Sequence, residues 1–492
     1  MMNAARRWRL GVGLCLSMLM TTHCSFAPKS HRPPMPIPEK YKEGMRWVMA
    51  KPALATETKH RRWWTVFHDP VLNELEDQLT CSNPSLDQAY ARFQESRALV
   101  QAARSFLYPT ILGVGGGGRQ DNSQSIANIY NGTKFIYNTF TLQALLSYEV
   151  DVWGEIRNTV SASAHAARAT EFDVAALDLS LHASLANIYF QLRGEDEEQK
   201  ALDRIVAADE HALFLIHQLH IGGALSALED DQAVKIVERA KTAATNMRLS
   251  RAKLEHALAV LTGAIPANFH LKAAQVSMRF VPVSPDVPSV LLQRRPDVAA
   301  AAQRVQSANA SIGVARAAFF PTFNLNALMG AQTQSIGQLF SQPSLIWGLG
   351  PPSGIVMMPQ QISQIVFDGY YLQANLKKAK AIYYETVNNY RQTVLTAYQE
   401  VEDGLVATYR LNQEMDSQQA ATKAAFRALY QAKQRMINGM DTYLGVYTIE
   451  DEALQNKINL IELQIQGQMA CVNLIKALGG GWNIARAMQE KV

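Results

Sequence analysis

Few stretches of this chain combine the residue types and spacing that chemistry requires. The run Gly113 to Arg119, "GVGGGGR", has the suppleness of a phosphate loop. No Gly-Lys-Ser/Thr follows it, however, and the next residues have strand rather than helix character, so it reads as a glycine-rich strand. The 11 histidines contain no His-x-x-x-His pair and the four cysteines no Cys-x-x-Cys pair, and no nucleophile, base and acid stand in a triad signature. Met357 and Met358 are adjacent thioethers that would suit soft-metal export, but apolar packing is the favoured reading. The residues therefore point away from catalysis, and neither a cofactor nor a metal is expected.

Cys24 is the residue whose position implies a reaction. Arg6, Arg7 and Arg9 precede an apolar run of 11 residues, Leu10 to Met20, too short to span a bilayer and suited to a signal peptide. Residues 1–23 are accordingly read as a signal peptide, cut before Cys24, with diacylglycerol anchored on the Cys24 sulfur as in a lipoprotein. Thr21 and His23 depart from the Leu and the Gly or Ala usual at those positions, and cleavage nearby without a lipid is the alternative. Loss of three Arg and no acids takes the net charge from +4 to +1, too weakly basic for a nucleic-acid partner. Cys81 and Cys471 would remain in an oxidising compartment, read as two free buried thiols, with a disulfide between them the less favoured reading.

The elements around these residues are set by proline. None occurs between Pro109 and Pro266 and none after Pro359, so two segments of more than 100 residues lack the strongest helix breaker. Glu155 to Ile221 carries apolar residues at helical spacing, and Gly222 and Gly223 break it. A return helix is predicted from about Ser226 to Gly263. The second half repeats the plan: a helix from about Leu372, a break at Asn438 and Gly439, a return from Thr442, an end at "ALGGGW". Pro109 and Pro321 are 212 residues apart, Gly154 and Gly369 215, Leu228 and Leu444 216, Gly263 and Gly479 216, which indicates a duplicated unit. A shorter helix, about Leu86 to Leu107, precedes the first of these prolines.

After each proline the period changes from helical to alternating. In Phe135 to Asp151 the even positions are apolar and the odd ones mostly polar, with Asn138 and Leu145 as exceptions. Phe323, Leu325, Ala327 and Met329 alternate with Thr322, Asn324 and Asn326, whereas in Thr110 to Arg119 Leu112 and Val114 share one face and glycines fill the other. Ile136 to Val150 is 15 residues, far beyond the usual 5 to 6 of a soluble strand and sufficient for the 9 to 11 of a membrane barrel. Pro351, Pro352 and Pro359 interrupt the last strand, which is expected to start after Pro359 or to carry a bulge. One hairpin per repeat gives four strands per chain. The smallest membrane barrels have eight, so the chain must oligomerise to close one.

Five stretches carry a family resemblance: "WWTVFHDPVLNELEDQLTCSNPSLDQA" from Trp63, "SYEVDVWGEIR" from Ser147, "LLQRRPDVAAAAQRVQSANASIGVARAAFFPT" from Leu291, "FDGYYLQANL" from Phe367 and "KALGGGW" from Lys476. By these the chain resembles the TolC-like outer-membrane factors, in the lipoprotein branch serving resistance-nodulation-division (RND) efflux pumps. "CSFAPKSHRPP" resembles the start of the mature family lipoproteins, which supports Cys24. The resemblance implies an α+β membrane protein: a homotrimer with a 12-stranded β-barrel in the outer membrane and a 12-helix tube through the periplasm. It implies a passive exit duct docked on a periplasmic adaptor and driven by an inner-membrane transporter. A type I secretion channel and a periplasmic adaptor are the alternatives.

The resemblance also assigns residues. The family closes its periplasmic end with helix tips and rings of carboxylates, and "SALEDDQA" places Glu229 on the acidic position, followed by Asp230 and Asp231. In the second repeat, "GVYTIEDEA" puts Thr448 where the family carries Asp, and the nearest acids are Glu450 and Asp451. Three copies of an acid around an axis would attract cations and hinder anions. Gly222, Gly223 and Gly439 mark the tips that would meet the adaptor. The expected organisation is a signal peptide at 1–23, a lipid-anchored and equatorial segment at 24–85, a first repeat at 86–265 with its hairpin about 110–152, a linker at 266–295, a second repeat at 296–480 with its hairpin about 322–367, and a tail at 481–492.

Overall fold

The two halves of the chain lay down one series of elements, with helices of equal length. A computed structural model describes residues 25–29, 33–35, 41–42, 62–121, 136–274, 294–341, 345–349, 360–441 and 443–482. Helix α1, Pro70–Ser82, precedes the series. The first copy comprises α2 (Pro84–Ser105), β1 (Thr110–Asp121), β2 (Ile136–Glu149), α3 (Glu155–Ile221) and α4 (Ala227–Leu261). The second comprises α5 (Pro296–Ala317), β3 (Thr322–Thr333), β4 (Leu345–Leu349), β5 (Gln360–Ser363), α6 (Tyr371–Ile437) and α7 (Tyr443–Ala477). Matching helices have 22, 67 and 35 residues in both copies, so the duplication expected from the glycine and proline spacing is present in the backbone.

The helix ends show why glycine recurs at one spacing. α3, α4, α6 and α7 are each closed by a glycine in the left-handed region: Gly223 (φ 73°), Gly263 (72°), Gly439 (73°) and Gly479 (91°). At the end of α3, Gly223 N–H donates to His220 O at 2.9 Å and Ala224 N–H to Leu219 O at 2.8 Å, the paired bonds that satisfy the last carbonyls of a helix. The other three ends repeat the pattern.

The strands form one antiparallel sheet in the order β1-β2-β3-β4, with β5 also on β3. Its register sorts the side chains. Leu142 faces Ala331, Ala144 faces Met329, Leu146 faces Ala327 and Tyr148 faces Leu325, which makes one face apolar. Thr141 faces Gln332, Ser147 faces Asn326 and Glu149 faces Asn324 on the other, with Leu145 opposite Leu328 as an apolar exception. Trp347, opposite Met329, extends the apolar face onto β4.

In β1 the register assigns the faces in a way that the sequence pattern conceals. Leu112 lies opposite Leu145 and Val114 opposite Gln143, so these two side chains belong to the mostly polar face. Three glycines take the apolar face, Gly113 opposite Ala144, Gly115 opposite Leu142 and Gly117 opposite Phe140, while Gly116 and Gly118 lie opposite Thr141 and Thr139 on the polar one. A Cβ on Gly117 would stand 3.1 Å from the Phe140 ring, so the bare backbone there gives the ring its room. The fourth strand position is filled by two pieces. Ala327 faces Leu349, yet Leu325 faces Gln360, a register shift of nine residues across Asn326. The interrupting prolines fall in 350–359, outside the described residues, and strand pairing occurs on both sides of them.

Two compact units draw on both halves. One comprises Met1–Pro34, Arg92–Thr170 and Ala300–Tyr390 and holds the whole sheet. Within it Phe320, at the end of the turn leading to β3, stacks on Phe26 at 4.6 Å and packs against Trp153 at 4.9 Å. Asn309 Nδ2 donates to Pro28 O at 2.8 Å and Arg316 to Phe26 O at 3.1 Å, so the segment from Ser25 is fastened along α5.

The other unit comprises Met35–Ala91, Glu171–Ala299 and Arg391–Val492. Its core gathers Trp63, Leu72, Leu79, Leu185, Tyr189 and Leu192, all fully buried. Asp69 caps α1 through Val71 N–H at 2.9 Å and accepts the Tyr189 hydroxyl at 2.6 Å. Beside it, burial pushes Glu76 up to about 7. Burial works against charge on His182, but its hydrogen bonds to Asp178 and Glu76 hold it at about 9. Cys471 is buried as expected, but Cys81 is exposed, and no disulfide joins them.

Candidate functional site at the helix tips

Two turns join the paired helices, α3 to α4 and α6 to α7, and the acids singled out in the sequence stand beside them. Gly222 N–H donates to Gln218 O at 3.0 Å and continues the helix bonding, while Gly223 and Gly439 make the reversal. A Cβ on Gly223 or Gly439 would meet nothing within 4 Å, so it is backbone conformation that demands glycine there.

Glu229 is the third residue of α4 and completes a capping box. Its carboxylate accepts the Ser226 N–H at 3.0 Å and the Ser226 hydroxyl. The Ser226 hydroxyl holds the Glu229 carboxyl below the usual carboxylate range, with the helix N-terminus adding to it. Glu229 therefore has a structural task at this turn whatever else it does. Asp230 receives the His217 ring nitrogen at 3.2 Å across the α3–α4 pair, and Asp231 is exposed. In the second repeat Glu450 pairs with Lys433 at 2.7 Å across α6 and α7, while Thr448 and Asp451 are exposed.

One acid at this site was not legible in the sequence. Asp209 on α3 is 4% exposed. Burial pushes its carboxyl up to about 6, and Glu450 and then Asp451 push it further the same way. Asp209 and Glu229 line a common pocket of about 210 Å³ with Tyr447, whose own hydroxyl burial pushes up to about 12. The structure thus brings Glu229 to Asp209, and it couples Glu450 and Asp451 to Asp209. Glu450 itself lines a separate groove with Arg204, Lys433 and Lys457. Asp209 lies 20 residues before Glu229 on a helix whose charged residues look alike in sequence, so no local signal marked it.

The other predicted residues separate cleanly. Cys24, Met357 and Met358 lie outside the described residues; Ser25, next to Cys24, hydrogen-bonds Asn158 at 2.9 Å in the unit that holds the sheet. Among the described residues no helix is long and apolar enough to cross a membrane. The apolar face of the sheet has the residues for that task.

Comparison with known proteins agrees with this geometry. The model of the outer membrane efflux protein family matches residues 75–264 and 287–480, one match for each repeat. Outer membrane protein OprJ of Pseudomonas aeruginosa is 28% identical over 485 residues, covering 98% of both chains. The toluene efflux pump outer membrane protein TtgF of Pseudomonas putida is 29% identical over 468 residues, 94% of both. Among solved structures, the CmeC outer membrane channel of Campylobacter jejuni superposes with a TM-score of 0.84 at 24% identity, over 95% of this chain and 98% of that one. The open state of the MtrE outer membrane channel of Neisseria gonorrhoeae gives 0.78 at 25% identity, over 94% and 99%. With both repeats matched and the duplicated helices and sheet in place, this chain belongs to the outer membrane efflux protein family.

Proposed function

We propose that three copies of this chain close a 12-stranded barrel in the outer membrane and act as the passive exit duct of a tripartite efflux pump. The observation that carries this is the sheet. Among the described residues β1 pairs only with β2, and β4 and β5 only with β3, so both edges are open while one face is apolar. An open edge in lipid leaves a row of backbone groups without partners, each costing several kcal/mol, and closure by neighbouring copies removes it.

The remaining roles follow from placement. Cys24 precedes a segment fastened beside the strand bases, which suits a diacylglycerol anchor in the same membrane. The turns at Gly222, Gly223 and Gly439 are the surfaces offered to a periplasmic adaptor, through which an RND-type inner-membrane transporter would supply the energy. Glu229, Asp230, Asp231, Glu450 and Asp451 are the gate acids. Small organic solutes are the substrate class, as the names of relatives such as the toluene pump protein suggest.

Single-channel conductance of the purified protein in planar bilayers tests the reading. Cation-selective openings are expected, with selectivity reduced when Asp230 and Asp231 are changed together to Asn. A protein that stays silent, even with Glu229→Ala, would contradict a gated duct.

A further inference from the structure

One carboxylate oxygen near the tips lacks a donor. Asp209 is buried, and its Oδ2 makes no hydrogen bond among the described residues. It lines the 210 Å³ pocket, whose wall comes from three helices: Asp209, Leu213 and Ile216 of α3, Glu229 and Ile236 of α4, and Tyr447 of α7. Most of that wall is hydrocarbon, and its acids have no cation among the lining residues.

The charged groups facing Asp209 explain why this oxygen is left over. From α7, Glu450 and Asp451 repel it, and Tyr447 stands beside it. From α4, Glu229 is engaged by Ser226 and Arg239 acts on Tyr447. From α6, Lys433 is paired with Glu450 at 2.7 Å. A buried carboxylate without a donor is costly, and a bound cation would remove that cost.

The lining also specifies the cation. Ca²⁺ takes six to eight oxygen ligands and Mg²⁺ holds its waters, so a wall of Leu and Ile suits neither. A cavity of about 150 Å³ lined by such residues holds a benzene ring, so the larger pocket here has room for a ring and a short arm. We propose that this pocket binds a small amphiphilic monocation, an aromatic ring bearing a primary ammonium on a short alkyl arm, with Asp209 as the anionic anchor. One chain supplies every wall, so the site does not rest on the channel reading.

The test uses the full-length protein in detergent, with 2-phenylethylammonium as probe and neutral 2-phenylethanol as its control, titrated calorimetrically at pH 8. The ammonium is expected to bind at least tenfold more tightly than the alcohol. Asp209→Asn should remove that advantage and leave alcohol binding unchanged, and Leu225→Trp, in the turn at the pocket wall, should weaken both. Lowering the pH from 8 to 5 should weaken the ammonium alone, because Asp209 takes up a proton while the ammonium keeps its own. No saturable binding to the wild-type protein, or equal ammonium affinity for wild type and Asp209→Asn, would overturn the proposal. The contrast between the two probes and its pH dependence are read on the wild-type protein, whatever the folding of either variant.

Discussion

Trp153 donates its indole N–H to the carbonyl oxygen of Pro321 at 2.8 Å. Trp153 lies just before α3, where the first repeat turns from strand to helix, and Pro321 just before β3, where the second turns from helix to strand, so one hydrogen bond joins a switch in each copy. The same indole packs on Phe320 at 4.9 Å. Trp153→Phe keeps the aromatic contact and leaves the carbonyl without this donor. A loss of about 1 kcal/mol is expected, seen as a lower midpoint in thermal unfolding by circular dichroism; an unchanged midpoint would show that the bond does not hold the switches together.

Gly479 and Gly223 share a left-handed conformation but differ in surroundings. A Cβ on Gly479 would stand 2.0 Å from Arg294 O, whereas one on Gly223 meets open space. Gly223→Ala should cost about 1 kcal/mol through conformation alone, and Gly479→Ala at least ~2 kcal/mol because backbone must also move. Equal midpoints for the two variants would refute the close approach.

The buried acids set a pH dependence whose sign can be worked out. Burial pushes Glu198 up to about 7, with Glu462 and Glu195 adding to it, and Asp209 stands at about 6. Unfolded, both release their protons near pH 4. Between pH 4 and 7 the folded chain therefore holds more protons, and stability falls as pH rises through that window. Glu198→Gln and Asp209→Asn should each stabilise the protein at pH 8, on the order of 2 kcal/mol, with the gain fading toward pH 4. A gain that grows on acidification would reverse the assignment.

Capping and charge at Glu229 can be separated. Glu229→Gln keeps an acceptor for the Ser226 N–H, whereas Glu229→Ala does not. If the charge contributes to the gate, both variants lose cation selectivity in bilayers, but only the alanine variant frays α4, measured by hydrogen exchange at its first turn. Selectivity retained by the glutamine variant would leave Glu229 as a cap alone.

These contrasts also mark what the sequence could disclose. Long elements were legible because their signals add up over many residues: α3 spans Glu155–Ile221 as its period and flanking glycines require, and β2 starts at Ile136 as alternation indicates. The faces of β1 were not, because glycine carries no side chain to reveal its side of the pleat, and only pairing with Phe140 and Leu142 settles it. The prolines foretold an interruption in the last strand, but not that pairing resumes on both sides of it. At the tips, Gly222, Gly223 and Gly439 announce the turns directly. Asp209 and Tyr447 meet across 238 positions of chain, and such a meeting is a property of the packed helices.

The claim on which the functional reading stands is that four strand positions with two open edges cannot line a membrane alone. Native mass spectrometry of the protein extracted from outer membranes in mild detergent measures this directly. A mass of three chains is expected, with no folded single chain at equilibrium. A lone subunit that is folded, lipid-inserted and stable would contradict it.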